Sequence, residues 1–290
     1  MIHIEDYVNK KNAEQILADK VNKILNKSGV FYRVWARVKS DKSIKAKLEK
    51  RVAENYKMQD LFGLRIACYF VEDIKICEKI FNECFKELKE SAAVDVLDAE
   101  TFKPIRCNHV FELLDDIEVI CDKRLWERQF DKTFELQIRT IFSEGWHEVE
   151  HDLRYKNKSV WDQSPDLSRK FNGINATLET SEWALIKICD DLAYQSYKSK
   201  DWVNMLRNKI RLRMEAYELP ENIVHIFDRS NEIAKRFLNY DKEKLILFLT
   251  RTKIPVPLTM ENIVYCINEL EVKEDSISKS APEIIKYMFN

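Results

Sequence analysis

The chain has 290 residues, of which 45% are hydrophobic and 33% charged, with 48 Lys and Arg against 49 Asp and Glu. This composition predicts a folded protein of one large or two modest domains, and the formal net charge of −1 excludes a global basic field for non-specific nucleic-acid binding. The four glycines are too scattered for a P-loop or a dinucleotide fingerprint, so any phosphate must be held by side chains.

The N-terminal stretch MIHIEDYVNKK lacks the apolar core of a signal peptide. No apolar run approaches the ~18 residues that a membrane span requires. The seven cysteines are widely spaced and contain no Cys-x-x-Cys pair, a pattern typical of reduced thiols rather than of a disulfide framework. We therefore expect a cytoplasmic protein with no membrane partner.

The first predicted elements are an amphipathic helix over 10–27, which Ser28 and Gly29 end, and a strand over 30–39. The strand alternates cleanly and places Arg33, Trp35 and Arg37 on its polar face. A basic helix follows over 42–54. From Arg33 to Lys57 nine Lys and Arg stand against three Asp and Glu, which concentrates positive charge in this part of the chain.

Residues 63–70 predict a second strand and residues 73–88 an amphipathic helix. Further strands are expected over 93–97, 109–114 and 134–139, and a helix over 141–156. In the last of these strands Phe134, Leu136 and Ile138 point inward. The outward positions of the same strand are Glu135, Gln137 and Arg139.

After residue 160 the pattern is helical throughout. A long helix is predicted around residues 174–192, followed by helices near 201–217, 220–239, 241–251, 259–271 and 282–289. The sequence thus predicts an α/β fold, with a mixed β-sheet flanked by helices over 1–160 and an all-helical region over 161–290. We expect the helical region to pack on the first, to form homo-oligomers, or to recruit an inhibitory partner.

Arginine recurs on the polar faces of three predicted strands, as Arg37, Arg65 and Arg139. Mixed charges on a solvated sheet face are ordinary for any single strand. Here Asp60 precedes one strand and Glu135 lies within another. Phosphate transfer requires cations for the polyphosphate, carboxylates for magnesium and a base near the attacking hydroxyl, and this face offers all three.

Four motifs follow one another in order between residues 37 and 156. They are Arg37-x-Lys39-x-x-x-Ser43-x-x-x-Lys47, Asp60-Leu61-Phe62-Gly63-Leu64-Arg65-Ile66, Glu135-Leu136-Gln137-Ile138-Arg139-Thr140, and the helix bearing Trp146, Glu150, His151, Tyr155 and Lys156. Together they resemble the RelA/SpoT-type alarmone synthetase family. This resemblance implies a nucleotidyltransferase-like synthetase domain that moves pyrophosphate from ATP to a nucleotide 3′-hydroxyl, by analogy that of GDP or GTP. The long members of the family also carry an HD hydrolase domain, but the five histidines of this chain form no suitable cluster, so we expect no hydrolase domain.

By this resemblance Arg37 and Arg65 would enclose the adenine of ATP, and stacking on guanidinium planes suits arginine better than lysine. The donor phosphates would be held by Lys39, Ser43 and Lys47. Asp60 would bind Mg²⁺, and Glu135 would share the metal or take the proton of the attacking hydroxyl. The resemblance further assigns acceptor binding to Arg106, His109, Gln137 and Arg139, and a supporting role around the site to Glu150, His151, Tyr155 and Lys156.

The acceptor loop departs from the family pattern. Where the family reads roughly K-P-N-G-Y-R-S-L-H, this chain has Lys103-Pro104-Ile105-Arg106-Cys107-Asn108-His109. The Asn-Gly pair is missing, and isoleucine replaces the tyrosine that stacks on the guanine. Base stacking on an aromatic ring contributes ~1–3 kcal/mol. Either another ring substitutes, such as Phe102 or Phe111, or the acceptor differs from free GDP or GTP, or the site is inactive.

Three other functions remain open from the sequence. The altered loop favours a toxic relative that modifies tRNA 3′ ends or adenosine nucleotides, or an inactive nucleotide-sensing module. His147-Glu148-Val149-Glu150-His151 also fits the H-E-x-x-H zinc protease signature, with Glu179 or Glu182 as a third ligand. Basic residues of the helical region (Arg207, Lys209, Arg211 and Arg213) suggest a docking surface for tRNA or a partner protein.

Overall fold

The computed structural model describes residues 3–50, 57–88, 90, 93–94, 107–127 and 129–289. Within these ranges no helix combines the length and apolar character that crossing a membrane demands. Part of the predicted basic helix, most of the strand over 93–97 and residues 103–106 of the altered acceptor loop lie outside the described residues.

The chain divides into two compact units. The first comprises Met1–Lys23 and Tyr32–Thr180, and the second comprises Ile24–Phe31 and Ser181–Asn290. The first unit contains the sheet, whereas the described part of the second is helical with connecting segments. The predicted α/β fold followed by a helical region is confirmed. The domain boundary after residue 160 stays a prediction, and the longest helix runs across residue 180.

The elements of the first half match the predicted order. The strands are β1 (Tyr32–Val38), β2 (Phe62–Cys68), β3 (Ala93–Val94), β4 (Cys107–Glu112) and β5 (Thr133–Thr140). The helices are α1 (Lys10–Ser28), α2 (Asp41–Lys50), α3 (Glu72–Cys84), α4 (Asp115–Glu118), α5 (Ile141–Val149) and α6 (Lys158–Asp162). Short 3₁₀ turns lie at Ile4–Asp6, Lys123–Leu125 and Tyr155–Asn157, and a π-helical turn lies at Glu150–Arg154.

The five strands form one mixed sheet in the order β1-β2-β5-β4-β3. The β2–β5 pair is parallel, whereas the β1–β2, β5–β4 and β4–β3 pairs are antiparallel. A parallel pair needs a long crossover connection. The chain between β2 and β5, which contains α3, β3 and β4, provides this connection.

One face of the sheet is apolar and buried. Leu64 and Ile66 of β2 and Leu136 and Ile138 of β5 are at most 2% exposed. Phe85, just after α3, packs edge-on against the rings of Phe111 and Phe134, with centroids 5.8 and 5.4 Å away. Because side chains alternate along a strand, burying this face turns every intervening residue toward the opposite, polar face.

The helix predicted over 141–156 is interrupted. Thr140 begins α5 as its N-cap, with its hydroxyl accepting a hydrogen bond from the Ser143 amide at 3.0 Å. Regular α-helix ends at Val149 and a π-helical turn follows. A π turn contains more residues than an α turn, so residues beyond it no longer continue the face that α5 presents.

The second half contains one long helix and seven shorter ones. They are α7 (Pro165–Lys198), α8 (Trp202–Ile210), α9 (Glu221–Arg229), α10 (Asn231–Leu238), α11 (Lys242–Arg251), α12 (Met260–Ile267), α13 (Asp275–Ser280) and α14 (Glu283–Met288). The helix predicted over 220–239 is divided at Ser230, whose hydroxyl accepts from the Ile233 amide. The helix predicted over 201–217 ends at Ile210, because Arg211 adopts a left-handed conformation.

The four basic residues proposed as a docking surface are engaged within their own unit. Arg211 is buried and donates to Asp190 at 2.8 Å, and Lys209 lies 3.6 Å from the same carboxylate. Arg207 lies over the ring of Tyr217, and Arg213 over that of Phe31. These contacts give the four residues structural roles, while Arg207 and Arg213 are exposed, so a docking surface for tRNA or a partner protein stays a prediction.

Gly29 ends α1 with φ +70°, a left-handed conformation that favours glycine. A Cβ there would lie 3.2–3.3 Å from Leu258, Leu212 and the carbonyl of Arg213. We expect Gly29→Ala to lower the free energy of unfolding by at least about 1 kcal/mol, from backbone strain together with these contacts. Urea unfolding measures the change.

Gly173 provides the matched control, because it lies inside α7 and a Cβ there meets no atom within 4 Å. Gly173→Ala should raise the stability by about 0.5–1 kcal/mol. Equal effects of the two substitutions would contradict the role assigned to Gly29.

Candidate active site

The strand register places two rows of side chains across the polar face. In one row Arg37 of β1, Gly63 of β2 and Glu135 of β5 are neighbours. The next row contains Trp35, Arg65, Gln137 and Asn108, the last from β4. Gly63 has no side chain, and a Cβ at its position would lie only 3.4 Å from Cγ of Arg37. Arg37 therefore leans over β2 toward Glu135.

Asp60, just before β2, binds two lysines with a single oxygen. Its Oδ2 accepts from Lys39 Nζ at 2.7 Å and from Lys47 Nζ at 2.6 Å. The Lys39 amide also donates to the carbonyl of Leu61 at 2.9 Å, which holds Lys39 beside Asp60. Burial alone would raise the pKa of Asp60, but the hydrogen bonds from the two lysines outweigh it and keep the pKa below its usual value.

Glu135 is held by two amide side chains. Asn108 Nδ2 donates to Oε1 at 3.2 Å, and Gln137 Nε2 donates to Oε2 at 3.3 Å. Burial raises the pKa of Glu135 and the negative charge of Asp60 raises it further, against the opposing effect of Lys39, Lys47 and Arg37. A carboxylate with a raised pKa and a fixed orientation is suited to accept a proton near neutral pH.

The amide orientation of Gln137 follows from its other contacts. Its Oε1 accepts from Arg65 Nε at 3.3 Å and from Arg139 Nη2 at 3.4 Å. Since two guanidinium groups occupy the acceptor, the NH₂ group is left to donate to Glu135. Arg65 also pairs with Glu144 and Glu148 of α5, which lie one turn apart on the same helix face.

Arg139 is only 7% exposed, and its Nη1 lies 3.8 Å from Glu144 Oε2. Burial lowers the pKa of Arg139, although the charge of Glu144 opposes this. Its Nε and Glu144 Oε2 are buried without a hydrogen-bond partner among the described residues. Glu144 thus retains one acceptor oxygen beside the polar face.

These side chains surround an open cavity of about 450 Å³, within the size range of small-molecule sites. Its lining comprises Trp35, Arg37, Gly63, Leu64, Arg65, Glu135, Gln137, Glu144 and Glu148. Asp60 and its two lysines lie near the Glu135 end, because Asp60 comes three residues before Gly63, which is opposite Glu135.

Asp60 and Glu135 suit a divalent cation. Asp60 Oδ1 is buried and has no hydrogen-bond partner within the described part of the chain, so it is available as a ligand. The mutual repulsion of the two carboxylates would be relieved by a cation between them. Groups of three or more His, Cys, Asp or Glu arranged for a metal are absent from the described ranges. Sites completed by substrate phosphates and water need only one or two carboxylates.

Solved structures of two bacterial proteins resemble this one in part. Small alarmone synthetase 1 from Bacillus subtilis is 23% identical, with a TM-score of 0.46, over 61% of this chain and 91% of that one. A GTP pyrophosphokinase family protein from Streptococcus pneumoniae is 21% identical, with a TM-score of 0.43, over 61% of this chain and 85% of that one.

The sequence comparisons are more specific. GTP pyrophosphokinase YjbM of Bacillus subtilis (strain 168) is 34% identical over 129 residues, which is 42% of this chain and 56% of that protein. The chain therefore spans just over half the length of this curated relative. Residues 36–160 match the family described as "Region found in RelA / SpoT proteins". This segment resembles the regions found in RelA and SpoT proteins.

Most of the predicted donor-side residues, together with two predicted acceptor residues, meet within the matched segment 36–160. Those that the structure brings together on the polar face are Arg37, Lys39, Lys47, Asp60, Arg65, Glu135, Gln137 and Arg139. Ser43 lies one turn before Lys47 on α2 and is exposed, with its hydroxyl 3.0 Å from that of Ser40. Arg106 lies outside the described residues, so its predicted role stays a prediction.

His109 lies away from the other predicted acceptor residues. It is opposite Leu136 in the β4–β5 pair and so belongs to the apolar face. Its Nδ1 pairs with Glu87, and its Nε2 lies 3.5 Å from Glu78 of α3. The structure thus contradicts direct acceptor binding by His109. Strand alternation gives the physical reason, because it turns the preceding residue, Asn108, toward Glu135 instead.

The residues predicted to support the site from the following helix also differ from expectation. Glu150 pairs with Arg154 at 3.1 Å, whereas His151 and Lys156 pair with Asp152 at 3.0 and 2.7 Å. Tyr155 is exposed and stacks on His151. The π turn shifts these residues off the face that Glu144 and Glu148 present. The described hydrogen bonds of the four therefore stay local and do not reach Glu135.

The zinc protease signature is likewise not a metal site. Glu148, its expected base, pairs with Arg65, and His151 pairs with Asp152. Burial lowers the pKa of His147 to about 4, with further lowering by Arg139 and Arg65. The positive surroundings that depress this pKa also disfavour a bound cation. Described residues, Glu179 and Glu182 included, provide no third ligand.

Sequence reasoning missed four residues of the site: Trp35, Asn108, Glu144 and Glu148. Trp35 shares the alternation that singled out Arg37, and the i, i+4 spacing of the two glutamates predicts a common face. Asn108 occupies the position of leucine in the family loop, and this polar replacement is the signal that it contacts the site.

The pairing of His109 makes a prediction for stability. Hydrogen bonding to Glu78 raises the pKa of His109; burial opposes this, and Glu87 adds to the rise. Since the folded-state pKa exceeds the unfolded value of about 6.5, this stabilisation is complete below pH ~6.5 and is lost as pH rises through the folded-state value. His109→Gln should therefore cost about 1–3 kcal/mol more at pH 6 than at pH 9.

Urea unfolding of the wild-type and variant chains at the two pH values provides the measurement. His225→Gln, at an exposed histidine of α9, controls for general effects of losing an imidazole. If His109→Gln lowers the free energy of unfolding by the same amount at both pH values, the pairing of His109 with Glu78 and Glu87 does not depend on a protonated imidazole.

Proposed function

We propose that the chain is an ATP-dependent pyrophosphokinase that transfers the β,γ-pyrophosphate of ATP to the 3′-hydroxyl of GDP or GTP. One observation carries the proposal. A partly buried pair of carboxylates, Asp60 and Glu135, lies beside Lys39 and Lys47 on the polar face of the sheet. Cations for phosphate, a free carboxylate oxygen for a metal and an oriented base are thereby assembled at one place.

The match of residues 36–160 to regions found in RelA and SpoT proteins supports the same reaction. A curated relative named GTP pyrophosphokinase YjbM matches over 129 residues. A further solved structure that resembles this chain is small alarmone synthetase 1 from Bacillus subtilis bound to its product pppGpp. These relatives make a guanine nucleotide the proposed acceptor, and the motif resemblance makes ATP the proposed donor.

In the proposed step, the 3′-oxygen of the acceptor attacks the β-phosphorus of ATP. The new bond joins that oxygen to the β-phosphorus, and the bond from the β-phosphorus to the α,β-bridging oxygen breaks, so that AMP leaves. Glu135 takes the hydroxyl proton. The amides of Asn108 and Gln137 fix the direction of this base.

The donor phosphates would be bound by Lys39, Ser43 and Lys47, and Arg37 and Arg65 would enclose the adenine. The two lysines share one oxygen of Asp60, so each can turn a charge-assisted hydrogen bond toward a phosphate. Asp60 and Glu135 would hold Mg²⁺, which supplies charge neutralisation for the polyphosphate when bound.

Acceptor binding is assigned in part. Gln137 and Asn108 flank Glu135, and the amide Oδ1 of Asn108 is buried without a hydrogen-bond partner among the described residues. We infer that this oxygen accepts a hydrogen bond from the acceptor ribose. Arg106 remains the proposed cation for the acceptor phosphates.

Glu135→Gln should abolish transfer while leaving ATP binding largely intact. Loss of a general base lowers turnover by about 10²–10⁴-fold. The assay incubates purified protein with γ-labelled ATP, Mg²⁺ and, in parallel, GDP, GTP, ADP, ATP or bulk tRNA. Label should move to GDP or GTP as AMP appears.

Glu112→Gln is the matched control, since Glu112 is a half-exposed glutamate of β4 paired with Lys86 at the sheet end. It should leave transfer unchanged. Full transfer by Glu135→Gln would refute the role of Glu135, and label on tRNA or an adenosine nucleotide would replace the proposed acceptor.

Asn108→Leu restores the residue of the family loop and removes one donor to Glu135. Hydrogen bonds to charged groups contribute about 1.5–3 kcal/mol, so kcat should fall by roughly 10-fold or more while the KM for ATP changes little. In a Glu135→Gln background the same substitution should add no further loss. Additive losses would mean that Asn108 acts independently of Glu135.

A further inference from the structure

A second cavity, of about 540 Å³, lies within the second unit. It is bounded by one face of α11, the segment that follows α11, the π-helical turn at Asn268–Val272 and α14. Its volume falls in the range of small-molecule sites. None of the residues that line it belongs to the cavity on the polar face. The chemistry of its own lining therefore has to indicate what it binds.

The sequence of α11 sets one wall of this cavity. Four residues recur at the i, i+3, i+4 and i+7 spacing of one helix face and line the cavity: Lys244, Leu247, Phe248 and Arg251. The helix ends at Arg251, and the hydroxyl of Thr252 accepts a hydrogen bond from the Ile254 amide at 3.3 Å. The chain bends at this point, and Lys253 and Ile254 also line the cavity.

The apolar part of the lining is mainly aliphatic. It comprises one ring and four flexible side chains: Phe248, Leu247, Ile254, Leu270 and Met288. All of them except Leu247 stay partly exposed. Phe248 stacks on Phe289, with ring centroids 4.4 Å apart and planes 13° from parallel, so one face of the ring is already covered. A hydrocarbon chain therefore suits this lining better than a flat aromatic ligand does.

The charged part of the lining is positive. Lys244, Arg251 and Lys253 line the cavity, and none of the described residues that line it is Asp or Glu. Glu271, which is not part of the lining, pairs with Lys244 at 2.7 Å and compensates that charge. Arg251 and Lys253 are exposed and lie two residues apart, where α11 ends. Their charge favours an anion at this side of the cavity.

We propose that this cavity binds a single-chain aliphatic carboxylate of medium length. Its hydrocarbon chain lies against the aliphatic lining, and its carboxylate lies beside Arg251 and Lys253. A guanidinium group matches a carboxylate in geometry as well as in charge. The site is independent of the proposed function, because none of its residues belongs to the polar face and its ligand requires no nucleotide.

Calorimetry with the full chain tests the chain and the charge of the ligand separately. Octanoate, kept below the concentration at which it forms micelles, carries both, whereas octanol has only the chain and acetate only the charge. Octanoate should bind at one site, and octanol roughly 10-fold more weakly because it lacks the bonds of a charged group. Hexanoate should also bind roughly 10-fold more weakly, because two fewer methylenes are buried. Acetate should give no measurable binding.

Two variants divide the site in the same way. Lys253→Glu should weaken octanoate binding roughly 10-fold, because it places a negative charge beside the carboxylate, and should leave octanol binding unchanged. Ile254→Ser should weaken the binding of both ligands by a similar factor, because it removes apolar contact. Lys235→Glu is the matched control for charge, since Lys235 is an exposed lysine of α10 outside the lining. It should alter neither affinity.

Three results would overturn the inference. A wild-type chain that binds no octanoate would refute the site and leave the proposed function intact. Equal losses in Lys253→Glu and Lys235→Glu would show attraction by net charge alone. Several octanoate molecules bound per chain, with no effect of Ile254→Ser, would show detergent-like adsorption to the surface.

Discussion

The parallel pairing of β2 with β5 sets Gly63 beside Glu135 and Arg65 beside Gln137, and the contacts of the polar face follow from this register. Leu64, Ile66, Leu136 and Ile138 fill the apolar side of the same two strands. A slip by one residue would bury the charged set and expose the apolar one, at a cost no local contact could offset. The hydrophobic core therefore specifies the geometry of the charged groups.

Within that frame, the polar face is arranged to keep charges partly buried without leaving them uncompensated. Arg65 and Arg139 donate to the amide oxygen of Gln137, so the amide NH₂ group of Gln137 donates to Glu135. Asn108 provides the second donor to Glu135. Each bond is long, between 3.2 and 3.4 Å. Their joint effect is orientation, because Glu135 has two oxygens and each has a donor of its own. An orientation set in this way needs no rearrangement when a substrate arrives.

Much of this could be read from the sequence, because alternation within strands is a strong local signal. The pattern of β1, β2 and β5 correctly placed Arg37, Arg65 and Glu135 on one face. His109 was assigned wrongly, since a motif gives the order of residues but not which face of β4 each one occupies. The π turn after Val149 could not be predicted from the sequence either, because the residues of the turn continue the helical periodicity of α5. Glu144 and Glu148 were missed because their partner, Arg65, is distant in sequence and near only in the fold.

The Asp60 cluster has a mechanical consequence as well as a chemical one. Lys39 follows β1 and Lys47 lies in α2, so a single carboxylate oxygen ties α2 to the segment that enters β2. The same segment is anchored to β5 through the hydroxyl of Thr133, which donates to the carbonyl of Gln59 at 2.7 Å. Any anion that draws the lysines from Asp60 weakens the tie of α2 and leaves the Gln59 anchor in place. Anion binding at the site and the attachment of α2 to β2 are thus thermodynamically linked. Any other contact that held α2 more tightly would therefore disfavour the exchange of Asp60 for the anion as the partner of the lysines.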